Sequence, residues 1–291
     1  MLTEEQKAAY ARDGYITVPG VFSPERVGQL SDATDRVVEA SRSVTEHDDV
    51  YDLEPDHSAA SPRLRRIKFP ERVDPAYAAA LHDAAVLDIV SELVGTAGVR
   101  FNGTKLNLKA RAGGSAVEWH QDWAFYPHTN DDLLAVGVAI DAMTADNGCL
   151  LMIPGSHRGP VFDHHQDGRF VGAVNDPAFD ASTAREVLLN AGDISVHHVR
   201  TAHASAPNTS DQPRRLLLLM YCATDAYPVV ETSGEAGGWE AYSESFLRGE
   251  PSPTIRSTAV PMRLPLPPPL ASGSIFETQS KLQRAGVAAM R

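Results

Sequence analysis

The chain has 291 residues, which is enough for one large domain or two small ones. Acidic residues outnumber basic ones by 38 to 26, and the formal net charge of −12 argues against nucleic acid or an anionic membrane surface as a partner. No apolar run is long enough to span a bilayer, so no membrane-embedded function is expected.

The N-terminus has no positively charged stretch followed by an apolar core, so no signal peptide is predicted. The two cysteines, Cys149 and Cys222, lie in apolar, strand-like contexts and are expected to be small buried thiols rather than a disulfide. Together these features favour a cytoplasmic protein.

Residues 1–98 are expected to form a helical and lid region. Capping residues and helix-start prolines predict three helices, at 3–12, 24–41 and 75–95. A short strand is predicted at 15–18, directly after the first helix. The polar segment 42–62 is predicted to be a long loop, which makes it a candidate lid over a site.

From residue 99 the sequence changes to short apolar segments separated by turn residues. These segments predict strands at 99–109, 116–121, 133–141, 149–153, 186–189, 193–198 and 214–223. Helices followed by this many strands favour a mainly β fold, the double-stranded β-helix or jelly roll of the cupins, with the N-terminal helices packed outside. We expect a single domain over 1–291 whose jelly-roll core is 99–223.

The remaining residues, 224–291, are interpreted as a C-terminal extension. Between 228 and 272 this segment is rich in Pro, Gly, Ser and Glu, which predicts extended wrapping or partial disorder rather than a second core. The final segment, 275–291, is a candidate short helix that contacts a partner subunit in a homodimer.

The pattern with the most chemical content is His120-Gln121-Asp122, followed far downstream by His203. On a strand, residues i and i+2 point to the same face, so His120 and Asp122 are expected to reach one ion together. Two imidazoles and one carboxylate are the ligands of a mononuclear non-haem iron(II) site with open coordination positions. His197 and His198 compete with His203 for the third ligand position.

Arg214 stands at the start of the apolar run 216–220, which is predicted to be a buried strand. An arginine entering a buried strand needs an anionic partner, and its planar guanidinium suits a carboxylate. Next to an iron site, this indicates that Arg214 holds the far carboxylate of a 2-oxo diacid. The alternative is a head group in solvent, as expected for neighbouring Arg215.

These segments, taken together, resemble the phytanoyl-CoA dioxygenase family of iron(II)/2-oxoglutarate oxygenases. The resemblance covers about three quarters of the chain, from Asp13-Gly14-Tyr15 to about Tyr221, and is carried by the blocks 119–123, 147–150, 153–157, 192–193 and 203–214. It implies that His120, Asp122 and His203 bind iron and that Arg214 and Ser205 contact 2-oxoglutarate. Lys105 and Asn107 lie on one face of a strand that borders this pocket in the family, so either is a candidate co-substrate contact.

The resemblance implies decarboxylation of 2-oxoglutarate to succinate with hydroxylation of an unactivated C–H bond in a small or medium-sized, largely apolar metabolite. Halogenating relatives replace the metal carboxylate with a small residue, so Asp122 favours oxygenation. Desaturation, epimerisation and ring or endoperoxide formation stay open. The alternatives are a cupin-type metal isomerase or dioxygenase that does not use 2-oxoglutarate, and a non-catalytic binding protein on the same fold.

Several further residues are candidates for the substrate side of the site. Trp123 and Phe125 follow the metal motif and are either core residues or part of the substrate mouth. An inward-facing His198 would be a pocket residue. Arg66 lies in a basic segment (Arg63, Arg65, Arg66, Lys68) that is interpreted first as a solvated patch and second as an anchor for a substrate carboxylate. Gly137 stands where some family members place a large aromatic residue.

Overall fold

The computed structural model of the chain describes residues 1–95, 98–230, 242–266 and 275–279. Its described helices are α1 Glu4–Asp13, α2 Pro24–Ala40, α3 Pro70–Val73, α4 Pro75–Leu81, α5 Ala84–Leu93 and α6 Ile275–Gln279. The strands are β1 Tyr15–Val18, β2 Tyr51–Leu53, β3 Leu64–Lys68, β4 Gly98–Lys109, β5 Val117–His120, β6 Leu133–Ala139, β7 Leu150–Met152, β8 His165–Gln166, β9 Arg169–Phe170, β10 Arg185–Val187, β11 Ile194–His198, β12 His203–Ser205, β13 Arg214–Ala223 and β14 Phe246–Gly249.

Two antiparallel sheets form the core. The major sheet has the order β1-β11-β6-β13-β4-β3-β2, with β14 also paired to β4, and the minor sheet has the order β10-β7-β12-β5. One cavity is lined by residues of both sheets, from β4, β11 and β13 on one side and from β5, β7 and β12 on the other. This arrangement confirms the predicted double-stranded β-helix, with its candidate site between the sheets.

The N-terminal helices cover the outer face of the major sheet, as predicted. Alternate residues of β13 point outward, and the Tyr221 hydroxyl donates to the Leu81 carbonyl of α4 at 3.0 Å. Helices α2 and α4 are joined by a 2.9 Å hydrogen bond between the Thr34 and Tyr77 hydroxyls. Because Ile67, Tyr77 and Tyr221 are fully buried, these helices close the outer side of the core.

Two sequence predictions in this region need correction. The single helix expected over 75–95 is two helices, because the Asp83 side chain accepts from the Ala85 and Val86 amides and starts α5. Segment 42–62 is not one long loop, since it contains β2, which pairs with β3 at the edge of the major sheet. Part of the segment predicted to be a lid is therefore a strand of this hairpin.

The basic segment is strand β3 and not a solvated patch. Each of its charged side chains is half-buried and meets an acidic side chain: Arg65 Nε lies 2.9 Å from Glu54 Oε2, and Arg66 Nη2 lies 2.8 Å from Asp52 Oδ2. Lys68 Nζ shares Asp52 at 3.3 Å. Because Asp52 and Glu54 are themselves buried, the pairs are compensated interior charges.

The described part of the tail runs over the barrel. The indole Nε1 of Trp123 donates to the Pro261 carbonyl at 2.9 Å, and His165 contacts the Pro265 carbonyl at 3.0 Å. Of the segment expected to form a terminal helix, 275–279 is helical and packs against β5 of the same chain, whereas 280–291 lies outside the described residues. Within the described ranges, no helix has the length and apolar character to cross a membrane.

Candidate metal and co-substrate site

His120, Asp122 and His203 form a buried cluster between the two sheets. Their candidate ligand atoms lie within 4.8 Å of one another, and they are the one such group of three among the described residues. His120 and His203 are directly opposed across the β5–β12 pair, with ring centroids 4.1 Å apart. The donor set and its burial fit a mononuclear iron(II) ion.

Hydrogen bonds fix both histidine rings in the orientation that a metal needs. His120 Nδ1 lies 2.8 Å from the Glu118 carbonyl, and His203 Nδ1 lies 2.9 Å from the Thr201 carbonyl. Because a carbonyl can only accept, each Nδ1 carries the proton and each Nε2 presents a lone pair. Such partners hold metal-binding imidazoles in position.

The three side chains are in the protonation states of metal ligands. Burial lowers the pKa of His120 to about 4 and holds the pKa of His203 well below its usual value, so both rings are neutral at neutral pH. Burial by itself raises the pKa of Asp122, but Lys105 and His197 outweigh it and hold the pKa of this carboxyl well below its ordinary value. No proton has to be removed before a cation binds.

The expectation that Asp122 lies on the same strand as His120 is wrong. Strand β5 ends at His120, and Asp122 begins a 3₁₀ turn over Asp122–Ala124. The carboxylate still comes within 3.8 Å of His120 Nε2. The Gln121 amide, between the two ligands, donates to His164 Nε2 at 2.9 Å, so His164 supports the change of direction. The His164 side chain is itself buried.

Of the two candidate histidines on β11, His197 faces the metal cluster and His198 does not. His197 Nε2 lies 3.4 Å from Asp122 Oδ2, and its ring centroid lies 4.5 Å from that of His203. His198 lies on the opposite face, against the rings of Tyr10 and His157. The preference for His198 as a pocket residue is therefore wrong. The two strand faces alternate, so parity within β11 was the signal that could have identified His197.

Arg214 is buried at the start of β13 and faces the cavity. Its Nε and Nη2 donate to the Gly148 carbonyl at 3.2 and 3.0 Å, while Nη1 is buried without a protein partner in the described structure. Burial lowers the pKa of Arg214 to about 10, which leaves the guanidinium charged at neutral pH. A fixed, buried cation with one unpaired N–H edge is suited to a carboxylate ligand.

Arg215 points the other way, and its head group is not free in solvent. Its Nη2 lies 2.7 Å from Asp141 Oδ1, and its Nη1 lies 2.8 Å from Asp35 Oδ1. Two adjacent arginines on one strand therefore have different roles, because successive side chains of a strand point to opposite faces. Only Arg214 of this pair lines the cavity.

Gly148 positions Arg214 through its backbone. This residue has φ of +82°, and a Cβ built there would lie 2.5 Å from the Ala206 carbonyl oxygen. An alanine would therefore strain the turn and displace the carbonyl that fixes the guanidinium. The Asn147-Gly148 turn thus contributes to the site as well as to the shape of the barrel rim.

We predict that Gly148→Ala raises the KM for 2-oxoglutarate about tenfold, since a misplaced group costs of this order, and lowers the free energy of unfolding by about 1–3 kcal/mol. Gly168→Ala is the matched control, because Gly168 also has a positive φ, +74°, but has nothing within 4 Å of an added Cβ. The control should lose stability and keep its KM. Equal KM values for the two variants would contradict the role assigned to Gly148.

The remaining predicted site residues fall into two groups. The cavity is lined by Lys105, Asn107 and Ser205, and the Asn107 Oδ1 atom is buried without a partner in the described structure. Phe125 is not among the residues that line the cavity, but it packs edge-on against His120 with ring centroids 5.7 Å apart. By contrast, Trp123 is buried beneath the tail and Arg66 is paired with Asp52; neither is among the residues that line the cavity.

Gly137 leaves no extra room at the site. A Cβ at this position would lie 2.7 Å from Ser195 Oγ and 3.1 Å from Leu216 Cδ1. Ser195 is the cross-strand neighbour of Gly137, and its hydroxyl occupies the space above the glycine. A large aromatic residue therefore does not fit here unless Ser195 and Leu216 move.

The fold and the site together define a mononuclear non-haem iron(II) oxygenase of the kind that takes 2-oxoglutarate as co-substrate. A model of the family described as Phytanoyl-CoA dioxygenase (PhyH) matches residues 10–216, which is more than half of the chain. The chain belongs to this family.

Known relatives agree. The chain is 32% identical over 284 residues to a Stutzerimonas stutzeri protein named "Probable alpha-ketoglutarate-dependent hypophosphite dioxygenase", covering 96% of this chain and 97% of that protein. It is 28% identical over 250 residues to L-proline trans-4-hydroxylase of Streptomyces griseoviridis, covering 77% and 89%. The structure of EvdO2 from Micromonospora carbonacea var. aurantiaca with 2-oxoglutarate matches with a TM-score of 0.62 at 28% identity, covering 79% and 94%. The protein is an Fe(II)/2-oxoglutarate-dependent dioxygenase, as predicted.

Proposed function

We propose that this dioxygenase hydroxylates a small substrate that carries an anionic oxygen group, and that phosphorus oxyanions such as hypophosphite are the first compounds to test. In the balanced reaction, a C–H or P–H bond of the substrate becomes C–OH or P–OH. The second atom of O₂ enters succinate, and 2-oxoglutarate loses CO₂. Iron(II), when bound, supplies the activation of O₂, and the protein supplies binding and orientation.

The co-substrate end of the cavity is assigned to Arg214, Ser205 and Asn107. Arg214 offers its unpaired Nη1 edge, and Ser205 lies two residues beyond His203 on β12 and also lines the cavity. Asn107 is paired in register with Leu216, two positions from Arg214 along β13. A diacid that reaches from the metal ligands toward Arg214 would therefore pass these polar groups.

The proposed substrate class rests on the position of Lys105 in the cavity, beside Asp122. Its side chain is 17% exposed, it lines the cavity, and its Nζ lies 3.7 Å from Asp122 Oδ1. With iron(II) and doubly charged 2-oxoglutarate in place, the charges of Asp122, Lys105 and Arg214 would leave one net positive charge in the cavity. A singly charged anion neutralises it, and a buried site favours such compensation.

This substrate class replaces the largely apolar metabolite expected from the sequence. Apolar side chains such as Leu150 and Leu218 line the cavity, but they are joined by Lys105, Asn107 and His197. The two curated relatives described above are named for hypophosphite and L-proline, and both compounds carry an anionic oxygen group at neutral pH. Hypophosphite is a net anion and L-proline is a zwitterion that carries a carboxylate, so both names support a small substrate with an anionic oxygen group rather than a large apolar one.

We predict that Lys105→Met raises the KM for the anionic substrate about 30-fold or more, because removing one partner of a buried charge pair costs about 2–5 kcal/mol. The measurement is succinate and hydroxylated product formed with hypophosphite and with small carboxylates. Lys68→Met is the matched control, since Lys68 is the cross-strand neighbour of Lys105 but is paired with Asp52. If no anion stimulates succinate formation, or if Lys105→Met leaves the KM unchanged, the proposed substrate class is wrong.

We also propose that residues 1–291 act as one oxygenase domain in the cytoplasm. The main apolar cluster is continuous from Leu2 through the N-terminal helices to Ala226, which supports one domain. Cys149 and Cys222 are both buried as thiols rather than joined in a disulfide, which supports a reducing compartment. The net charge of −12 supports a small-molecule partner rather than nucleic acid or an anionic membrane surface. A homodimer remains a proposal from the sequence.

A further inference from the structure

We infer that α6, which lies outside the matched family region 10–216, supplies a wall of the active site, and that Ile275 limits the size of the substrate. The inference deepens the proposed function, since it concerns the same cavity. It rests on the dioxygenase reaction and not on the identity of the anion. Ile275 lines the metal cavity together with the triad, Lys105 and Arg214.

The position of α6 follows from the free edge of the minor sheet. Among the described strands, β5 is the last in the order β10-β7-β12-β5, so one side of its backbone has no strand partner there. Such an edge needs a cover. The Val174 amide provides part of it by donating to the Trp119 carbonyl at 2.7 Å. The Gln279 side chain extends it, because its Oε1 accepts from the Glu118 amide at 3.0 Å while its Nε2 donates to the Gly172 carbonyl at 2.7 Å.

This contact is connected directly to a metal ligand. The Glu118 peptide receives Gln279 at its N–H, and its carbonyl accepts from His120 Nδ1 at 2.8 Å. Gln279 is therefore a positioning residue that acts through β5. Its side chain is buried, and a buried amide left without partners is unfavourable. The docked state of α6 is thus favoured by specific polar contacts as well as by apolar packing.

A second contact anchors α6 about one turn before Gln279. Phe276 is buried, and the guanidinium of Arg65 lies 5.3 Å from its ring centroid. Arg65 is itself held by Glu54 at 2.9 Å, so the ring packs on a fixed cation. With α6 anchored by Phe276 near its start and by Gln279 at its end, Ile275 is held at the cavity wall. A larger side chain there takes volume from the substrate, and a smaller one adds it.

The first test of this inference measures hydrogen exchange in the full chain. In Gln279→Ala the Glu118 amide should exchange about tenfold faster or more, because its hydrogen-bond acceptor is removed. Gln279→Glu is the comparison variant, since a glutamate keeps the acceptor for Glu118 but sets a second carboxyl oxygen against the Gly172 carbonyl. Protection of the Glu118 amide in this variant should therefore be greater at acidic pH, where the carboxyl is protonated and can donate. Unprotected exchange of the Glu118 amide in the wild type, or equal exchange in Gln279→Ala and the wild type, would overturn the docking of α6.

The second test distinguishes an effect of Ile275 on substrate binding from an effect on 2-oxoglutarate binding. Ile275→Trp should raise the KM for the substrate about tenfold or more, while the KM for 2-oxoglutarate stays within about twofold, because Arg214 is untouched. Ile275→Ala should accept a larger member of the same anion series. An unchanged substrate KM in both variants would contradict the assignment.

If the wild type turns over none of the anions, the proposed substrate class is wrong. The inference about α6 can then be tested without a substrate. Substrate-free succinate formation should then rise about threefold or more in Gln279→Ala, because an opened site admits water and side reactions. An unchanged rate of substrate-free succinate formation, together with unchanged exchange at Glu118, would overturn the inference by itself.

Discussion

Asp122→Ala should abolish turnover, with a loss on the order of 1000-fold or more, since even the outer partners of metal ligands are worth 10–100-fold. Asp122 is the one carboxylate of the triad, and it is buried among His120, His203, His197 and Lys105. Without it the triad is reduced to two imidazoles beside an ammonium that has lost its carboxylate partner, a set that does not favour a divalent cation.

Thermal unfolding gives an independent measurement of the same change. Iron(II) at about 100 times its dissociation constant should stabilise the wild type by about 2.7 kcal/mol and should leave Asp122→Ala unchanged. Asp146→Ala is the control, because Asp146 is an exposed carboxylate in a turn outside the cavity. Iron-dependent stabilisation of Asp122→Ala equal to that of the wild type would contradict the ligand assignment.

Arg214→Ala should weaken 2-oxoglutarate binding about 100-fold or more, because breaking a buried ion pair by removing one partner costs about 3–5 kcal/mol. The buried guanidinium has one edge bound to the Gly148 carbonyl and the Nη1 edge unpaired, so the co-substrate carboxylate is its missing partner. Iron(II) binding should persist in this variant, since Arg214 is not in the triad.

Arg215→Ala is the matched control for this prediction. Arg215 is adjacent in sequence, but it lies on the opposite face of β13 and is paired with Asp141 and Asp35. This variant should lose stability and keep its affinity for 2-oxoglutarate. Equal dissociation constants for Arg214→Ala and the wild type would favour the alternative of a cupin-type enzyme that does not use 2-oxoglutarate.

Much of the site could be predicted from the sequence, because its signals are local. Residue type and spacing indicate His120, Asp122 and a distant histidine, the family resemblance selects His203 over His197 and His198, and a charge at the start of a buried strand indicates Arg214. The pairing of His203 with His120 across β5 and β12 then brings distant residues together, and only the tertiary fold provides it.

The errors have physical causes. The single helix expected over 75–95 divides because Asp83 caps α5 in the middle of a continuous apolar pattern. The sequence predicts a solvated basic segment because it does not show which acidic side chains the segment meets. Those partners, Asp52 on β2 and Glu54 directly after it, come close only when β2 pairs with β3. The role of α6 has no local signal at all, since it depends on the free edge of β5.

We propose that His120, Asp122 and His203 hold iron(II) and that Arg214 holds 2-oxoglutarate beside it. The most direct test is an anaerobic titration of the apo protein with iron(II) and then 2-oxoglutarate, followed by visible absorption. We expect a weak metal-to-ligand charge-transfer band in the wild type that is lost or much weaker in Arg214→Ala. Bound iron without any such band in the wild type would contradict the claim.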